Sequence, residues 1–131
     1  MAALAVEIVT PIAVAWQGSA GEVQAPGILG EFGALPEHAP MLAVTRAGVV
    51  TLHLEGGDKK RLVVGPGFAE VGPDRVTLLV DSCEVAEDID KAAAQKVLEL
   101  AERTLLDTEP DSGPWLDAHK QIELSRARIE A

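Results

Sequence analysis

The side chains in this sequence that could act on a bond are few and scattered. Its three histidines, His38, His53 and His119, sit in three different segments without His-x-His spacing, so the convergent imidazoles of a zinc site are not in view. Ser19, Ser82, Ser112 and Ser125 lack the Gly-x-Ser-x-Gly elbow of a hydrolase nucleophile. The single cysteine, Cys83, has no histidine near it in sequence and cannot close an internal disulfide; a small apolar filler is its plainest role. Glu84, Glu87, Asp88 and Asp90 crowd together but without the glycine turn and alternating ligands of a calcium loop. Negative charge at the start of a helix accounts for them. The pattern predicts no catalytic residue, no metal and no cofactor.

A glycine-rich segment from Pro26 to Pro40 remains. Gly27, Gly30 and Gly33, three apart, suggest a dinucleotide loop, but Pro36 and Pro40 forbid the helix that would follow, and no Gly-Lys-Ser/Thr phosphate cradle is present. The segment reads instead as a rigid, multiply turned connection presenting Glu31 and Phe32 at its surface, where firmly fixed loops make contacts.

The bulk composition narrows the partners. Lys and Arg number 11 against 21 Asp and Glu, a formal net charge of −10. Nucleic acid is therefore excluded as a partner, because its binding rests on cations that release counterions, and adsorption to an anionic lipid surface is disfavoured. The apolar start is interrupted by Glu7 and Pro11 and lacks a basic leader, so it reads as a strand rather than a signal peptide. No uncharged stretch reaches the length of a membrane helix, so direct membrane insertion is not expected.

The elements that would position these residues fall into two regions. From Leu4 to Val80, short β-prone runs alternate with turns: Leu4–Val9, Ile12–Trp16, Glu22–Ala25, Leu42–Val44, Val49–Leu54, Arg61–Val64, Phe68–Val71 and Val76–Val80. Turns such as Gly56-Gly57-Asp58 and Gly72-Pro73-Asp74 between such runs predict hairpins, and strands this short and evenly spaced predict an antiparallel β-sandwich or flattened barrel. From Glu84 to Leu106 there is neither Gly nor Pro, and helix formers dominate. Ile89, Ala93, Val97, Leu100 and Ala101 fall on one face of a first helix, with Leu105 continuing it. Pro114 opens a second helix, whose stripe is Trp115, Ala118, Ile122, Ser125 and Ile129. A short connection makes the two an antiparallel hairpin. The expected division is residues 1–86 for the β-domain and 87–131 for the hairpin, which small side chains hold weakly.

The pattern Pro-Gly-x-x-Gly-Glu-Phe-Gly-x-Leu-Pro-x-His-Ala-Pro, with Ala47-Gly48-Val49-Val50, Gly67-Phe68-Ala69-Glu70-Val71 and Ala86-Glu87-Asp88-Ile89-Asp90, resembles the epsilon subunit of the F-type ATP synthase, bacterial type, nearly end to end. The resemblance implies a non-catalytic subunit of the rotating central stalk, peripheral to the cytoplasmic face of the cell inner membrane. It would couple ion-driven rotation of the c-ring to the gamma shaft. The β-domain would pack on gamma and over the c-ring polar loops, with Gly30, Glu31 and Phe32 as the ring-facing turn and His38 in support. In relatives the hairpin can swing up and inhibit ATP hydrolysis through cations that meet acidic segments of the alpha and beta subunits; Lys120, Arg126 and Arg128 are the candidates here. Some relatives bind ATP through an Ile/Leu-Asp-x-x-Arg-Ala motif. Here it reads Ile89, Asp90, Ala93, Ala94, with Ala93 in place of the arginine, which implies no tight nucleotide binding.

Overall fold

The computed structural model describes residues 3–131. Ten strands form one continuous sheet: β1 (Leu4–Val9), β2 (Val14–Ala20), β3 (Glu22–Gly27), β4 (Gly30–Ala34), β5 (Met41–Thr45), β6 (Gly48–His53), β7 (Lys59–Val64), β8 (Gly67–Val71), β9 (Arg75–Val80) and β10 (Cys83–Val85). A 3₁₀ turn at Ala86–Asp88 leads to helices α1 (Lys91–Asp107) and α2 (Gly113–Glu130).

The sheet folds over into two facing halves. Strands β4, β3, β6, β7 and β10 make one half and β5, β8, β9, β1 and β2 the other, joined through the single pairing of Gly27 with Thr45. Alternation explains the sandwich: Leu4, Val6 and Ile8 of β1, Val50 and Leu52 of β6, Leu62 and Val64 of β7, and Val76, Leu78 and Val80 of β9 all point into one core. With so few aromatic residues, branched aliphatics fill this core, and burying each contributes on the order of 2 kcal/mol.

Several details depart from the sequence expectation. The pairing of β1 with β9 is parallel in an otherwise antiparallel sheet; the chain between them consists of strands, so no βαβ crossover is involved. The second strand begins at Val14 rather than Ile12, because Thr10 closes a turn onto the Ala13 carbonyl through both its N–H and its hydroxyl. Ile12 is left almost fully exposed. Strands β4 and β10 were not expected. On α1 the buried stripe is Ala94, Leu98 and Ala101, while Ala93, Val97 and Leu100 face outward. The helix begins at Lys91, with the Asp90 carboxylate accepting from Ala93 N–H at 3.1 Å, an N-cap that satisfies an otherwise orphaned donor.

The hairpin uses both sides of α2. Leu98 and Ala101 meet Ala118 and Ile122 between the helices. On the other side, Leu124 and Ala127 press onto Val63, an outward-facing residue of β7 in the first half-sheet, and onto Ala47 in the turn between β5 and β6, with Val49 and Ile89 alongside. The expected α2 stripe omitted Leu124 and Ala127, which are what seat the hairpin on the sandwich.

Candidate functional site

Three surfaces carry the residues singled out by sequence. The first is the turn between β3 and β4. Gly27 pairs with Gly30 across a two-residue turn of Ile28 and Leu29. Gly30 takes a φ of +132°, a conformation reserved for glycine. Leu29 is fully exposed and Ile28 largely so, so the turn offers an apolar tip beside the exposed carboxylate of Glu31. In the sequence this tip shows only as two apolar residues, Ile28 and Leu29, enclosed by the turn glycines Gly27 and Gly30.

Phe32 corrects the expectation that it is presented at the surface. It is half-buried and packs against the main core, and its ring stands where a Cβ on Gly27 would have to go, 3.1 Å away. Phe32 braces the turn from within. His38 lies beyond the far end of β4, in a turn where Pro36 and Glu37 (φ 71°) occupy the central positions and His38 N–H donates to the Leu35 carbonyl, the type II arrangement. Its Nδ1 is 2.6 Å from its neighbour Ala39's carbonyl oxygen. On the order of 10 Å of strand separates Glu31 from this turn, so the two do not form one cluster.

The second surface is the hairpin seat. Arg128 Nε donates to both Glu84 oxygens at 3.0 and 3.1 Å, and its Nη2 donates to Oε1 at 2.6 Å. Lys120 bonds Asp81. Arg126 is exposed and lines a cavity of about 300 Å³ together with Glu31, Arg46, Glu123 and Glu130. Two of the three expected regulatory cations are thus held by carboxylates of the sandwich. Around the motif at Ile89, Asp90, Ala93 and Ala94, the Asp90 carboxylate is used as helix cap, Ala94 is buried and Ile89 packs into the hairpin seat. A cleft of about 690 Å³ there brings Lys59, Arg61 and Lys91 near Glu87 and Asp90.

The third surface was not anticipated. Cross-strand register places Val44 opposite Phe68, Phe68 opposite Leu79, Leu79 opposite Val9, and Val9 opposite Val14. Phe68 is 51% exposed, Val14 51%, Val44 47% and Leu79 47%. This apolar ladder crosses the outer face of the second half-sheet, the face away from the hairpin. A contiguous exposed patch of that kind marks an interaction surface. Alternation along each strand was legible, but the inward-facing choice among Val-rich strands depended on register.

The remaining groups are structural. His53 Nε2 is 2.9 Å from Gln24 Oε1 and 3.9 Å from Glu22, and His119 stacks on Trp115 at 5.4 Å. Cys83 is half-buried against the core, and its thiol is pushed up from its ordinary range by burial and then by the Glu84 charge. Among the described residues, no group of three His, Cys, Asp or Glu is arranged to hold a metal ion, and no helix is long and apolar enough to cross a membrane.

Residues 3–86 match the family model described as the ATP synthase delta/epsilon chain, beta-sandwich domain. The chain is similar to the ATP synthase epsilon chain of Moorella thermoacetica, 46% identical over 110 residues, which covers 84% of this chain and 82% of that one. It is also similar to an ATP synthase epsilon chain of a Synechococcus species, 35% identical over 98% of this chain and 95% of the other. Among solved structures, a chain of the Euglena gracilis mitochondrial ATP synthase OSCP/F1/c-ring assembly shares the fold with a TM-score of 0.84 at 22% identity, covering 97% of this chain and 79% of that one. A chain of the Tetrahymena thermophila mitochondrial ATP synthase central stalk/c-ring structure does so at 0.61 and 11% identity, covering 96% of each.

Proposed function

The chain belongs to the F-type ATP synthase epsilon-chain family, and from that premise we propose that it is a non-catalytic rotor subunit transmitting c-ring rotation to the gamma shaft. The observation that carries this reading is the asymmetry of the sandwich. One outer face is covered by its own hairpin through Leu124 and Ala127; the other leaves the ladder of Val44, Phe68 and Leu79 exposed. Gamma is the partner that covers the ladder. The apolar tip of Ile28 and Leu29, with Glu31 beside it, meets the polar loops of the c-ring, and His38, in the turn at the other end of β4, stands apart from that contact.

In this reading the protein contributes rigidity. A sandwich with a closed aliphatic core passes torque between two bound surfaces without a reacting group. Residues 1–86 form the coupling domain, working at the cytoplasmic face of the inner membrane as part of the complex. Residues 87–131 form a regulatory arm, which inhibits hydrolysis when Lys120, Arg126 and Arg128 leave the sandwich and meet acidic segments of the alpha and beta subunits.

Co-purification with the gamma subunit of the same synthase tests the docking, and Phe68→Ala with Leu79→Ser is expected to abolish it. In the assembled enzyme, removing residues 87–131 is expected to raise the ATP hydrolysis rate; an unchanged rate would rule out the inhibitory arm. Leu29→Asp is expected to lower ion-driven ATP synthesis.

A further inference from the structure

The two rows beside the ladder carry charge of one sign facing the partner. Two residues along each strand from Val44, Phe68, Leu79 and Val9 lie Leu42, Glu70, Thr77 and Glu7, paired in register on the same face. On the opposite side, Phe68 and Leu79 border a groove of about 440 Å³ that also takes in Pro11, Pro66 and Asp81, the one charged residue in its lining. The cations nearby are Arg75, a further row out on β9 and lining one pocket with Glu7 and Thr77, and Arg46, which lines the cavity under α2. An apolar stripe edged by acids on both sides fits a partner element with an apolar stripe edged by Lys or Arg. In the groove, a basic side chain would lay its aliphatic stem along Pro66 and its cation between the Phe68 ring and the Asp81 carboxylate.

Asp81 already has a partner. It stands where the chain passes from β9 in one half-sheet to β10 in the other, and its carboxylate bonds Lys120 of α2. Asp81 thus belongs to the lining of the exposed groove while its partly exposed carboxylate anchors the hairpin from the far side. We propose, building on the reading that gamma docks on the ladder, that Asp81 is shared between the two surfaces. A basic side chain of gamma seated in the groove takes Asp81 from Lys120, so docking loosens the hairpin and the hairpin opposes docking. The coupling is reciprocal by thermodynamic necessity.

The test is binding of the full-length chain to the gamma subunit, comparing wild type, Asp81→Asn, Lys120→Gln, the double variant and Phe68→Ala. Asp81 and Lys120 side chains are 44% and 42% exposed, so these variants fold, and thermal melts verify that. Asp81→Asn should weaken binding about two- to fivefold, the scale of a solvent-exposed ion pair. Lys120→Gln should strengthen binding, and Asp81→Asn should cancel that gain in the double variant. If Phe68→Ala weakens binding but Lys120→Gln weakens it or leaves it unchanged, the sharing of Asp81 is wrong while the docking face stands. If Phe68→Ala binds as wild type, the docking reading itself falls, and this inference with it.

Discussion

Arg128 and Glu84 lie 44 positions apart and meet as a fork, with three N–H···O contacts between 2.6 and 3.1 Å. Glu84 is on the last strand of the sandwich and Arg128 is in the last turn of α2, where a cation also offsets the helix dipole. The contact ties the last turn of α2 to the domain that would ride the rotor. It also occupies one of the cations that the family resemblance assigns to contacts with the catalytic subunits, so the docked hairpin keeps that cation from any other acid.

A double-mutant cycle on Glu84→Gln and Arg128→Gln should therefore show coupling of about 1 kcal/mol, above the usual exposed pair because the fork is bidentate and partly buried. Denaturant unfolding measures it, and added salt should reduce it. Strict additivity of the two substitutions would show that the pair contributes nothing.

Ser125 is fully buried on α2, and its hydroxyl has no hydrogen-bond partner among the described residues. Ser125→Ala removes an unsatisfied polar group and raises helix propensity, together a gain of about 1 kcal/mol. Calorimetry should show a higher Tm for this variant.

Gly67 permits the close approach of β8 to its antiparallel neighbour β9. A Cβ there would lie 1.9 Å from the Leu79 carbonyl oxygen and 2.8 Å from the Val80 Cα, both backbone atoms that cannot move aside alone. Gly67→Ala should cost roughly 2 kcal/mol or more, and because Gly67 adjoins Phe68 it should also weaken gamma binding.

Cys83 should react slowly with iodoacetamide near pH 8 in the folded protein. Its thiol titrates above its ordinary range, which leaves little thiolate, and only the thiolate attacks. Glu84→Gln removes the lesser of the two causes and should speed alkylation modestly. Unfolding should speed it far more.

The elements that were legible in the sequence are those whose signal is local. Leu4, Val6 and Ile8 alternate cleanly, Pro114 marks the start of α2's first turn, and both sandwich and hairpin follow from such patterns. Strand β4 was hidden because Gly30 and Gly33 frame it, residues that weaken a strand by propensity; its pairing with β3 overrides that. Val97 and Leu100 suited a helical stripe as well as Ala94 and Leu98 do, and contact with α2 made the choice. The family block from Pro26 to Pro40 was visible at once, yet the burial of Phe32 and the exposure of Leu29 depend on how the turn folds over the core. The apolar ladder needed five strands in register, and the pairing of Lys120 with Asp81 needed the hairpin in place; neither leaves a local trace.

In the proposed assembly, the face opposite the hairpin seats the protein on the rotor. Hydroxyl-radical footprinting of the full-length chain, alone and bound to gamma, tests it most directly. Leu42, Phe68 and Leu79 should lose reactivity in the complex, while Leu100 and Leu116 on the hairpin keep theirs. If Leu42, Phe68 and Leu79 react as fully in the complex as in the free chain, gamma docks elsewhere and the account is contradicted.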